Sequence, residues 1–227
     1  MSCGTTACAC PMVAGPKAGN HMLVAGMTQS GKTAFVTRML MNKKSEFDNI
    51  IIFCARCSAE QKSYKKLRDH VGEDNFFLKV GLPDDGEQVE QVMNKLEAAH
   101  KAKKKTAIVI DDLVLEQKGV GGKMVKDLFL GARHLNASVI MISQAPSASD
   151  RFTRLQTSIF VLFRCGLADG IQALARQLHP ESKGKKIMQM FRFCTKKPYG
   201  HLIIDTRGEG IERFRDSSWN CAIDNSL

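Results

Sequence analysis

The sequence predicts an α/β fold, a mostly parallel central sheet flanked by helices. Short apolar runs of strand length recur without polar alternation. Segments with apolar residues at helical spacing separate them. One strand-to-helix passage carries a glycine-bounded loop. Strands that are apolar throughout are buried on both faces, and strands separated by helices pair in parallel.

The elements follow in order along the chain. His21 to Ala25 is the first apolar run, and it leads through a glycine-containing turn into a helix from Lys32 to about Asn42. Phe35, Val36, Met39 and Leu40 form one stripe of that helix. Ile50 to Cys54 is a strand rich in β-branched residues, and Phe76 to Val80 is a weaker one. Glu87 to Lys101 is helical, with Val89, Val92, Leu96 and Ala99 at the right spacing. Thr106 to Ile110 is a strand that runs into two acids. Lys123 to Leu135 is helical, and Ser138 to Ile142 and Ser158 to Phe163 are further buried strands. Helical patterns at Ile171 to Leu178 and Ile187 to Cys194 precede a last strand, His201 to Ile204. Residues 1–19 are poorly patterned, and residues 20–227 read as one domain.

Composition bounds the function. The chain has 227 residues, 44% of them apolar and 25% charged, a globular balance that excludes disordered and fibrous classes. Runs such as Ala107 to Ile110 are far short of the ~20 residues of a membrane helix. The first nineteen residues have neither a basic start nor an apolar stretch, so they are expected not to be a secretory signal. Lys and Arg outnumber Asp and Glu by 33 to 23, giving a net charge of +10 spread over the whole chain. Such an excess suggests a polyanionic partner. Of the eight cysteines, Cys54 and Cys57 form a C-x-x-C without a second pair at zinc spacing, and reduced thiols in a reducing compartment are expected.

The first strand enters Gly26-Met27-Thr28-Gln29-Ser30-Gly31-Lys32-Thr33, which matches G-x-x-x-x-G-K-[ST] between a strand and an amphipathic helix. The two glycines allow successive N–H groups to face a phosphate, and the helix adds its positive N-terminal end. Lys32 is placed for the β- and γ-phosphates and Thr33 for Mg²⁺, so ATP and Mg²⁺ are the expected ligands. The central loop residues Met27, Thr28, Gln29 and Ser30 contribute backbone donors.

Two further features suggest hydrolysis. Asp111 and Asp112 end a buried strand, at the sheet edge where ligands of such folds bind. Asp111 suits the metal side, and Asp112 suits the polarisation of an attacking water. The strand Ser138 to Ser143 ends in Gln144, which can hydrogen-bond both water and γ-phosphate and so sense the nucleotide state.

Four stretches together resemble a known group. They are Ala25–Thr33, Ile108–Leu113, Ala132-Arg133-His134-Leu135-Asn136-Ala137-Ser138 running to Gln144, and Arg154 with Ile159–Arg164. They are similar to the DNA-packaging ATPases of large eukaryotic DNA viruses and their Polinton and virophage relatives, a branch of the FtsK–HerA superfamily. The resemblance implies a RecA-like P-loop fold of the ASCE type. It implies Lys32 and Thr33 on phosphate and Mg²⁺, Asp111 on the metal, Asp112 as catalytic acid where many members have Glu, and Gln144 as sensor. It also implies a homo-oligomeric ring, pentameric or hexameric, that pumps double-stranded DNA into a preformed capsid and contacts capsid vertex proteins. The implied place of action is the cytoplasmic assembly site of the infected host cell, with association to the virion.

Ring ATPases complete the site with an arginine in trans. Arg133, Arg151, Arg154 and Arg164 are the candidates, with Arg154 first and Arg133 second. For DNA, a glycine-rich loop Gln117 to Lys123 would carry Lys118 and Lys123 to phosphates. Lys183, Lys185 and Lys186 begin a stretch to Lys197 with six basic residues and no acid. The alternatives are an FtsK- or HerA-type translocase or helicase not tied to packaging, a P-loop nucleotide kinase, and an assembly factor that uses ATP only as a switch.

Overall fold

The computed structural model describes residues 17–42, 46–113, 120–144, 146, 149–166, 168–208 and 213–217. Its strands are β1 (His21–Ala25), β2 (Asn49–Cys54), β3 (Phe76–Val80), β4 (Thr106–Asp111), β5 (Ala137–Ser143), β6 (Thr157–Phe163), β7 (His201–Asp205) and β8 (Phe214–Arg215). Its helices are α1 (Lys32–Leu40), α2 (Arg56–Ala59), α3 (Lys62–Val71), α4 (Gly86–Lys101), α5 (Val120–Gly131), α6 (Arg151–Gln156), α7 (Ala168–Leu178) and α8 (Lys185–Cys194).

All eight strands join one sheet in the order β3-β2-β4-β5-β1-β6-β7-β8. The pairs from β3 to β6 are parallel, whereas β6–β7 and β7–β8 are antiparallel. Residues alternate between two cores because successive side chains of a strand point to opposite faces. Leu23, Ile108, Ile110 and Phe160 pack with Leu96 of α4, Leu128 of α5, Leu174 of α7 and Ile187 of α8. Met22, Val24, Val109 and Val161 pack with Val36 and Met39 of α1 and with Tyr64 and Leu67 of α3. This explains the apolar runs without alternation. β1, β4 and β5 are buried along their whole length.

Several elements, α2 and β8 among them, depart from the sequence expectation. The helix α3 carries its apolar stripe on Tyr64, Leu67 and Val71 alone, among lysines and an arginine, and this thin stripe suffices because it covers one sheet face beside α1. The short helix α6 is capped by Asp150, whose carboxylate accepts from the Thr153 N–H at 2.7 Å and so satisfies a free helix-end donor. Finally, α5 starts at Val120, so the expected loop up to Lys123 is helical from residue 120. A side-chain carbon at Gly121 would lie 2.7 Å from Leu82 Cβ, so this turn is a packed helix start that needs glycine for close approach.

The topology places the ends of β1, β4 and β5 at one edge of the sheet, with β5 between the other two. Chemistry carried by three distant sequence stretches therefore meets there.

Candidate active site

The loop after β1 is tied to its neighbours by backbone bonds. The Gly26 N–H donates to the Ser143 carbonyl at 3.2 Å, and the Met27 N–H to the Arg164 carbonyl at 2.9 Å. A side chain at Gly26 would put its first carbon 2.5 Å from Phe163 Cβ, and Gly31 closes the loop with a φ of 97°. Both glycines are thus required by geometry, as the motif implies. Gly31 caps α1 without a side-chain hydrogen bond, which leaves the helix N-terminus open toward the loop.

Lys32 is buried and its ammonium folds back into the loop. It donates to the Gly26 carbonyl at 2.7 Å and to the Met27 carbonyl at 3.0 Å. Burial holds its pKa below the ordinary lysine value, against Asp112 and Asp111, which pull it up. The Ser30 Oγ atom is also buried and has no hydrogen-bond partner. A cation facing only carbonyls and an unpaired hydroxyl are what a phosphate group would satisfy.

Beyond the loop, the Thr33 hydroxyl approaches both carboxylate oxygens of Asp111, at 3.3 and 3.4 Å. Asp111 is 2% exposed, and burial raises its pKa above the ordinary carboxylate value. The hydroxyl of the buried Tyr64 donates a short hydrogen bond to Asp111 Oδ2. Tyr64 is the site residue that the motifs do not reveal. Tyr64→Phe leaves a buried carboxylate short of a donor and is expected to lower unfolding stability by about 1.5–3 kcal/mol, measured by urea titration. An unchanged midpoint would mean that the bond contributes nothing net.

Asp112 leaves the strand with a φ of 52°, a left-handed conformation that Asp tolerates better than most residues. Its N–H still donates to the Ile142 carbonyl of β5 at 3.1 Å, and its Oδ2 accepts from Gln144 Nε2 at 2.9 Å. The acid and the glutamine therefore form one hydrogen-bonded unit at the ends of adjacent strands.

The arginines are dispersed. Arg154, on α6, donates through Nη1 to the Ser149 carbonyl and through Nε to Gln177 Oε1 at 3.4 Å. Because β6 runs parallel to β1 and α6 precedes it, Arg154 lies at the edge of the sheet opposite the phosphate loop. The seven-residue β6 separates them by about 20 Å. Arg133, Arg151 and Arg164 are exposed, and Arg164 meets the loop through its carbonyl. Lys123, Lys183, Lys185 and Lys186 are exposed, the last three around the start of α8. Lys118, and the cysteines Cys3, Cys8, Cys10 and Cys221, lie outside the described residues. Cys54 ends β2 beside Asp111, and burial pushes its thiol up to about 11. Among the described residues no helix is long and apolar enough to cross a membrane.

The parallel sheet, the phosphate loop and the acid at the end of β4 make this chain a P-loop ATPase. It belongs to the Poxvirus A32 protein family, whose profile matches residues 17–207.

Solved structures share the fold. The DNA-packaging ATPase B204 of Sulfolobus Turreted Icosahedral Virus is 14% identical, with a TM-score of 0.65 over 88% of this chain and 98% of that one. B204 of Sulfolobus turreted icosahedral virus 2, in complex with ATP-gammaS, is 15% identical, with a TM-score of 0.59 over 87% of this chain and 96% of that one. EssC (ATPases 2 and 3) from Geobacillus thermodenitrificans is 13% identical, with a TM-score of 0.52 over 69% of this chain and 34% of that one. No curated protein matches the chain.

Proposed function

We propose that the chain is an ATP-driven motor that moves double-stranded viral DNA into a preformed capsid. Membership of the Poxvirus A32 family supports the class of task. The carrying observation for hydrolysis is the Gln144–Asp112 hydrogen bond at 2.9 Å, set beside Lys32, Thr33 and Asp111.

In this reading the loop amides from Met27 to Thr33 and the Lys32 ammonium bind the phosphates. Lys32 exchanges its loop carbonyls for phosphate oxygens, which are better partners for a cation. Thr33 and Asp111 would hold Mg²⁺, and their approach to one another together with the burial of Asp111 fits a shared cation. When bound, the ion neutralises charge on the phosphate oxygens. Asp112 accepts a proton from the attacking water at its carboxylate. Gln144 orients that water and reports γ-phosphate by leaving or keeping Asp112. The arginine that completes the site comes from the next subunit of a ring, and we assign it to Arg154. Its distance from its own loop excludes a role in cis, and a head-to-tail ring brings unlike faces together.

The lysines at the start of α8 suit DNA. Lys185 and Lys186 lie in the first helical turn, where the helix dipole disfavours cations, so helix stability does not account for them. Phosphate contacts would. Capsid vertex proteins as partners, and action at the cytoplasmic assembly site and in the virion, belong to the same proposal.

Lys32→Ala is expected to weaken ATP binding by about 10- to 100-fold, the size of a lost hydrogen bond to a charged group, in equilibrium titration. Unchanged affinity would remove Lys32 from the phosphate site. The reading as a whole is tested by ATP turnover with and without linear duplex DNA. Stimulation supports a motor, whereas turnover indifferent to DNA favours an assembly factor that uses ATP as a switch.

A further inference from the structure

The segment between α8 and β7 lines a cavity together with Met27 to Ser30 of the phosphate loop, and the assigned chemistry does not use it. Tyr199, on this segment, is 70% exposed, among the most exposed large apolar side chains of the described residues. Its φ is 61°, a left-handed backbone that an aromatic residue rarely adopts. Such strain persists only where surrounding structure imposes it, and it gathers at ligand sites.

The structure shows what imposes it. The next strand opens with His201, which is 7% exposed and packs tilted against Phe163 at 4.6 Å and edge-on against Phe35 at 4.9 Å between ring centroids. His201 Nδ1 lies 3.0 Å from the Tyr199 carbonyl, and a carbonyl only accepts, so Nδ1 carries the proton and donates. Burial lowers the histidine pKa, which keeps the ring neutral. Its other nitrogen, Nε2, is buried without a hydrogen-bond partner. The Tyr199 backbone is thus pinned to a rigid aromatic cluster, while its ring projects against the loop. A side-chain carbon at Gly31 would meet Tyr199 Cδ1 at 3.1 Å.

A cavity of ≈ 650 Å³ opens between this segment and α1, lined by Gly31, Ala34, Phe35, Arg38, Tyr199 and His201 among others. That volume and its aromatic walls, with Arg38, Asn42, Lys197 and Ser217 as polar groups around them, suit a small organic ligand. Topology decides which end of a nucleotide reaches it. Asp111, Asp112 and Gln144 stand at the ends of β4 and β5, on one side of β1. They fix the terminal phosphate on that side. The nucleoside end must then point to the other side of β1, toward β6 and β7, where Tyr199 and the cavity lie.

We infer that Tyr199 is the stacking platform for the nucleotide base, with the cavity beside α1 as the base subsite and His201 as the positioning residue that holds the platform. The inference rests on the nucleotide reading of the loop.

The test compares ATP with inorganic tripolyphosphate, which carries the phosphates without a base. Three chains are titrated with each: the wild type, Tyr199→Phe and Tyr199→Asn. Asn accepts a left-handed backbone, so the Asn variant keeps the turn and its melting temperature should not fall. The Asn variant is expected to lose ATP affinity by roughly 10- to 100-fold, the range of one base stacked on an aromatic ring. The Phe variant should bind ATP like the wild type, and tripolyphosphate affinity should be equal in all three. ATP affinity unchanged in the Asn variant overturns the inference alone. An equal loss of tripolyphosphate affinity also overturns it, since Tyr199 would then shape the loop. A wild-type chain that binds neither probe overturns the nucleotide reading of the loop and this inference with it.

Discussion

Asp112→Asn should bind ATP as the wild type does and hydrolyse it about 10²- to 10⁴-fold more slowly, the usual contribution of a positioned general base. Asn has the shape of Asp, and at a φ of 52° it tolerates the left-handed backbone at least as well. Its amide oxygen can still accept from Gln144 Nε2, so the 2.9 Å link between the two strand ends survives. What it cannot do is take a proton from water. Single-turnover hydrolysis with binding measured in parallel separates these effects. Turnover near the original rate in the Asn variant would transfer the role of base to another group.

Arg154→Ala is expected to bind ATP normally and to hydrolyse it on the order of 10³-fold more slowly, the effect of losing an arginine in trans. The Arg154 side chain also ties Ser149 to Gln177 in its own chain, so a purely structural role predicts a different result. In that case the melting temperature falls, and mixing with another inactive variant restores nothing. If Arg154 acts in trans, mixed rings of Arg154→Ala and Lys32→Ala regain activity. There, an Arg154→Ala subunit keeps a working phosphate loop and takes its arginine from a Lys32→Ala neighbour. No recovery in mixtures shown to co-assemble would count against the trans assignment and pass it to Arg133, whose side chain is exposed.

Much of the architecture was legible because its strands are short and apolar on both faces. β1 and β3 have the bounds that the apolar runs imply, and the parallel order follows from helices placed between strands. The loop, the acid pair and the terminal glutamine were legible because each requires a residue type at a fixed place after a strand. The 2.9 Å contact between Asp112 and Gln144 was not, since it depends on β4 and β5 being neighbours. Tyr64 was hidden for a similar reason. Its helix offers only a thin apolar stripe, and a tyrosine there reads as core until the fold brings its hydroxyl to Asp111. The antiparallel turn of β7 against β6 also has no signature in an apolar run. Tyr199 draws no attention in the sequence because nothing local announces a positive φ at a tyrosine. The early part of α5 shows the opposite error, where Gly121, in a stretch that suggests a mobile loop, serves close packing against Leu82.

On the proposed reading, hydrolysis at this site moves duplex DNA, and displacement of a third strand reports that movement. A labelled triplex-forming strand is annealed to one end of a linear duplex, and its release is followed with ATP present. The wild-type chain should release the strand with ATP, and there should be no release with a non-hydrolysable analogue or with Asp112→Asn. Both release and turnover should weaken as salt rises, because phosphate contacts carry the binding. Steady ATP turnover stimulated by the duplex, with the third strand left in place, would contradict translocation.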